Sequence, residues 1–138
     1  MDCLKLENQL CFPLYVASRE VIRKYKPILD ELNLTYTQYI TMMVLWDKKE
    51  VNVKELGKRL FLDSGTLTPL LKTLEAKKYI KRVRSTNDER NLLVTLTSEG
   101  ESLKEKALEV PKKMGKCINL TEAEALELYK LLYKVIEN

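Results

Sequence analysis

Apolar residues at Leu6, Leu10, Leu14, Val21, Tyr25, Ile28 and Leu32 recur at intervals of three, four and their multiples, the spacing of one face of an α-helix. The stripe predicts a long helix over residues 6–32. Pro13 and Pro27 fall within it, and each removes one internal hydrogen bond, so each is expected to bend or break the helix. A helix this long cannot bury its whole stripe against the short elements that follow. Part of the stripe is therefore expected to meet another chain.

Thr35 with Gln38 has the spacing of a capping box and opens a second helix, TQYITMMVLWDKK, whose nearly all-round apolarity marks it as the buried centre. Asn52 with Glu55 repeats the signal for a short helix through VKELGKRL. The turn-like FLDSG follows, and then TLTPLLKTLEAKKY, with Leu67, Leu70, Leu71 and Leu74 at helical spacing. Two short helices across a tight turn predict a helix-turn-helix. Pro69 fits the second helix if regular structure begins near Thr66, which places the proline in the first turn; otherwise it predicts a bend. IKRVR (80–84), the polar STNDER and the alternating NLLVTL (91–96) read as a two-stranded ribbon. Thr97 caps a predicted helix running to about Lys116, and Thr121 with Glu124 opens the last one.

Composition narrows the chemistry. The 138 residues suit one domain, or one subunit that completes its core by pairing with a copy of itself. No apolar run approaches a membrane span and MDCLKLENQL is too polar for a signal peptide, so a cytoplasmic protein is expected, with no membrane partner. There is no histidine, and the three cysteines, Cys3, Cys11 and Cys117, form no CxxC pair. Zinc sites and Ser/His or Cys/His catalysis lose their usual residues, and neither metal nor cofactor is expected.

The net charge of +4 is unevenly spread. Between Lys72 and Arg90 lie Lys72, Lys77, Lys78, Lys81, Arg82, Arg84 and Arg90, against Glu75, Asp88 and Glu89. A basic run alone reads as a solvated face. A basic ribbon after a helix-turn-helix is where a wing reaches the minor groove of double-stranded DNA while the second helix enters the major groove. The positions expected to face DNA are Ser64, Thr66, Thr68, Pro69 and Lys72 on that helix, and Arg82, Arg84, Asp88 and Arg90 on the ribbon. Asp88 can orient the Arg90 guanidinium.

Cys11 reads first as a small core hydrophobe. Tyr25 returns to nearly the same helical face fourteen residues later, but about 21 Å along the axis. The two cannot meet within one helix. If the first helices of two subunits cross antiparallel, Cys11 of one approaches Tyr25 of the other, and hydroxyl donors around a sulfur near a helix start favour the thiolate.

LENQLCF, LYVASRE, YKPILDELNLTYTQY, LFLDSGTLTPLLKTLE and NDERN closely resemble the organic-hydroperoxide-sensing branch of the multiple-antibiotic-resistance-regulator (MarR) family, over essentially the whole chain from Leu6. The resemblance implies a mainly α fold with a two-stranded β-wing: a winged helix-turn-helix in an interlocked homodimer on a pseudo-palindromic operator. Residues 1–34 and 97–138 would supply the dimerisation helices, and residues 35–96 the DNA-binding region. It also implies a redox-sensing Cys11, oxidised by an organic hydroperoxide, with Tyr25 and Tyr36 of the partner donating hydrogen bonds to its thiolate. Branch members then form a disulfide to a second cysteine, for which Cys117 is the candidate, or a mixed disulfide with a small thiol. Two alternatives stay open: a MarR-type repressor that answers a small aromatic ligand, and a thiol peroxidase without nucleic acid.

Overall fold

A computed structural model describes residues 2–84 and 92–137. A 3-10 turn over Leu6–Asn8 precedes α1 (Cys11–Asp30), so the long helix begins five residues later than its apolar stripe suggests. Pro13 explains the start. As the third residue of α1 it sits where the backbone N–H has no partner in the helix, so the ring costs no bond there. Pro27 stays within α1. Asn33, with φ 56°, ends the helix, and the Leu34 N–H reaches back to the Leu29 carbonyl at 3.2 Å.

The capping box at Thr35 forms as expected, with Gln38 N–H on Thr35 Oγ1 at 3.3 Å and Thr35 N–H on Gln38 Oε1 at 3.1 Å. It opens α2 (Tyr36–Lys48), which crosses the core with Tyr39, Met42, Leu45 and Trp46 buried. Each such side chain contributes roughly 1.5–3 kcal/mol of transfer free energy. The Trp46 indole donates to the Gly100 carbonyl at 2.9 Å, which fixes α2 against α5 (Ser98–Ala107).

Asn52 caps α3 (Val53–Leu60) through the Lys54 N–H at 2.7 Å. The turn that follows carries Phe61 at φ 55° and leads into α4 (Ser64–Ala76). Asp63 Oδ1 accepts the Thr66 N–H at 2.8 Å and starts α4 at Ser64, before the expected Thr66. Pro69 therefore lies inside α4 and withholds the N–H that would serve the Gly65 carbonyl.

The ribbon has a third strand that the alternation pattern misses. β1 (Glu50–Asn52) pairs antiparallel with β3 (Leu92–Leu96), which also pairs with β2 (Ile80–Arg84), giving the order β1-β3-β2. Three residues are too few to display a period of two. The helix expected from Thr97 to Lys116 is divided into α5 and α6 (Glu109–Gly115). Pro111 lacks the N–H that would reach the Ala107 carbonyl, and its ring crowds that position. The second capping box, Thr121 with Glu124, opens α7 (Glu122–Ile136), in which no residue is buried. Helix-turn-helix and ribbon together form a winged helix.

Candidate nucleic-acid interface and thiol site

α4 turns Leu67, Leu70, Leu71 and Leu74 into the core and leaves Ser64, Thr66, Thr68, Pro69 and Lys72 exposed. Four leucines on one face hold the helix; the opposite face presents hydroxyls and a lysine to solvent. Arg84 is exposed at the end of β2. Arg82 is differently placed: its guanidinium donates to Glu75 Oε1 from Nη2 at 2.9 Å and its backbone N–H to Glu75 Oε2 at 3.1 Å. Arg82, also expected at the DNA, is partly exposed, and these bonds brace β2 to α4. Asp88 and Arg90 lie outside the described residues.

Cys11 is exposed as the first residue of α1, at the positive end of the helix dipole. One turn on, the Tyr15 hydroxyl accepts from Arg19 at 3.1 Å, and the Arg19 guanidinium lies 4.9 Å from the Tyr15 ring centre. Tyr25 stands on the same helix, roughly 21 Å from Cys11 along its axis, so one chain does not bring the two together.

Tyr25 is instead gathered with Tyr36 and Tyr39, at ring separations of 4.8 Å and 5.9 Å. Burial, reinforced by the neighbouring phenols of Tyr36 and Tyr39, pushes Tyr25 up to about 12. Burial also raises Tyr36 and Tyr39. All three are hydroxyl donors at neutral pH. Tyr25 and Tyr36 line an open cavity of about 430 Å³ whose wall includes Arg19, Arg23, Leu34 and Thr35. Tyr39 was not anticipated, although its i, i+3 spacing from Tyr36 is the signal that joins them.

Cys117 lies between α6 and α7 and is exposed. Its S–H donates to the Lys113 carbonyl at 3.4 Å, and its own carbonyl accepts from Lys24 Nζ at 3.1 Å. That lysine is adjacent to Tyr25. Lys24 lies about 20 Å along α1 from Cys11, which leaves Cys117 beyond the roughly 7 Å Cα separation a disulfide within one chain allows. No local pattern foretells the Lys24–Cys117 link, which joins residues 93 apart. Among the described residues, no group of three His, Cys, Asp or Glu is placed to hold a metal, and no helix is long and apolar enough to cross a membrane.

Comparison with known proteins follows the same lines. The family profile described as Transcriptional regulator SarA/Rot matches residues 23–107. The organic hydroperoxide resistance transcriptional regulator of Bacillus subtilis (strain 168) is 48% identical over 139 aligned positions, covering 99% of this chain and 92% of the relative. Reduced AbfR of Staphylococcus epidermidis bound to DNA superimposes with a TM-score of 0.83 at 33% identity, over 96% of this chain and 90% of that one. Disulfide-formed AbfR gives 0.68 at 34% identity, over 96% and 93%. Overoxidised AbfR bound to DNA gives 0.79 at 33% identity, over 96% and 93%, so the two DNA-bound forms both superimpose better than the disulfide form. These relatives are regulators, which removes the thiol-peroxidase alternative.

Proposed function

Because the chain belongs to the SarA/Rot family of winged-helix transcriptional regulators, within the wider MarR group, we propose that it is a DNA-binding repressor whose homodimer leaves a pseudo-palindromic operator when an organic hydroperoxide oxidises Cys11. The observation that carries this reading is the pairing of an exposed thiol at the start of α1 with a cavity lined by Tyr25 and Tyr36. One chain keeps them apart, and an antiparallel crossing of two α1 helices joins them. The apolar residues left exposed on α1 and α7, among them Leu14, Ile22, Leu128 and Val135, supply the surface for such a dimer.

In this reading, Ser64 to Lys72 on α4 enter the major groove, while the ribbon, with Arg84 and the Arg90–Asp88 pair of its loop, reaches the minor groove. Tyr25 and Tyr36 of the partner subunit donate hydrogen bonds to the Cys11 sulfur. That sulfur attacks the distal oxygen of the hydroperoxide; an S–O bond forms, the O–O bond breaks, and the alkoxide takes a proton and leaves as alcohol. The sulfenic acid then condenses with Cys117 of the partner subunit, forming S–S and releasing water, or with a small thiol in the same way. Lys24 supports the first route, because its bond to the Cys117 carbonyl ties the segment that carries Cys117 to the same part of α1 as Tyr25. Either product displaces α1 and alters the spacing of two reading heads that must match half-sites about one DNA turn apart.

Fluorescence anisotropy on a duplex from the chain's own promoter region tests the proposal. Cumene hydroperoxide is expected to release the reduced wild type, while Cys11→Ser stays bound. Release of that variant by the same oxidant overturns the sensor assignment.

A further inference from the structure

Lys77 belongs to the basic run, yet its charge turns inward. It closes α4, and its Nζ donates to the Asn33 carbonyl at 2.6 Å and to Gln38 Oε1 at 2.9 Å. Both acceptors are neutral. The acidic side chains at this corner are held elsewhere, Asp30 by Lys26 at 3.2 Å and Glu31 by Lys113 at 3.1 Å. Burial holds the Lys77 ammonium below the usual lysine range, as expected for a cation drawn partly out of water.

The two acceptors mark the two sides of one corner. Asn33 is the left-handed residue that ends α1. Gln38 is buried in the first turn of α2, and the oxygen that takes the lysine also takes the Thr35 N–H. Between them run Leu34, Thr35 and Tyr36, all of which line the tyrosine cavity. Tyr36 and Gln38 share a helical turn, so a shift of Tyr36 carries Gln38 with it or stretches its bond to Lys77. Behind Lys77 stands α4, packed through its four buried leucines and able to move only as a body.

We propose that Lys77 is the positioning residue that couples the tyrosine cavity to the reading helix, an inference that rests on the redox reading above. Its two bonds turn a displacement of the α1–α2 corner into a displacement of α4. Sequence position hides the role, since Lys77 and Lys78 look alike in the run; only the fold directs one of them to the corner.

The test compares wild type, Lys77→Met and Lys77→Arg as reduced and cumene-hydroperoxide-treated proteins, reading duplex affinity, Cys11 oxidation by mass spectrometry, and Tm. For Lys77→Met the loss of affinity on oxidation is expected to shrink at least about fivefold relative to wild type, with Cys11 oxidised to the same extent. Lys77→Arg, which keeps charge and donors, restores part of the response. An unchanged oxidised-to-reduced ratio in Lys77→Met overturns the coupling, whereas failure of wild type to respond overturns the redox reading instead. A measurement on wild type avoids dependence on the variant's folding. The Lys77 ammonium resonance in 15N-lysine-labelled protein is expected to shift or broaden on oxidation, and an unmoved resonance overturns the inference.

Discussion

Glu75 and Arg82 bind each other through both side chain and backbone: Glu75 Oε1 accepts from Arg82 Nε at 3.3 Å and Nη2 at 2.9 Å, and Glu75 Oε2 accepts the Arg82 N–H at 3.1 Å. One carboxylate on α4 thereby sets the root of the wing. The Arg82 hydrogen bonds hold the Glu75 carboxyl below its ordinary range. A depressed carboxyl stabilises the fold above its unfolded value, about 4.3, and the contribution is lost as pH falls through the lower folded value. Glu75→Gln is expected to cost about 1 kcal/mol at neutral pH, the pair being partly solvated, and nothing once wild-type Glu75 is protonated. Urea unfolding of both proteins across acid pH checks the convergence.

Tyr25 titrates in the opposite direction. With its value pushed up to about 12, chiefly by burial, the stability it contributes is present below about 10, its unfolded value, and is lost as pH rises from there through about 12. Spectrophotometric titration should find a tyrosine that ionises late in wild type and is missing from Tyr25→Phe. The same variant should slow Cys11 oxidation by hydroperoxide about tenfold, the effect of one hydrogen bond to a charged sulfur; an unchanged rate refutes the donor role.

Gly100 is a packing requirement. A Cβ there would fall on the Tyr79 carbonyl oxygen and lie 2.7 Å from Leu96 Cδ1, while the residue's own carbonyl takes the Trp46 indole. Gly100→Ala is expected to destabilise by about 2–3 kcal/mol, read as a lowered urea midpoint with little change in slope. Gly115, which has nothing within 4 Å of the same position, should tolerate alanine.

Leu128, 44% exposed on α7, tests the dimer. Leu128→Glu keeps a good helix former but places a charge on the apolar face. Sedimentation should show dimerisation weakened at least about 100-fold, about 2.7 kcal/mol by the usual conversion. A dimer that persists at micromolar concentration removes α7 from the interface.

Cys117→Ser separates the fates of the oxidised sulfur. Wild type treated with hydroperoxide should run as a covalent dimer on non-reducing electrophoresis, and the variant as monomer. A covalent dimer in the variant would exclude Cys117 as the resolving thiol.

Local order was legible from the chain alone. The capping boxes at Thr35 and Thr121, the leucine face of α4 and the alternation of β3 are contacts between residues a few positions apart, so spacing suffices to state them. Proline placed breaks with less certainty: Pro13 and Pro69 have the same chemistry, but whether a ring sits in a first turn or inside a helix depends on which neighbour caps. The family motifs marked Cys11, Tyr25 and Tyr36 as the candidate sensor residues. What only the tertiary structure decided were pairings between different elements, seven to 93 residues apart, that no helical or strand period spans. Arg82 is bound to Glu75, Lys77 to the α1–α2 corner, and Lys24 to Cys117. Each is a long flexible side chain, and the packing of helices and strands against one another, which no local pattern encodes, decides which acceptor it meets.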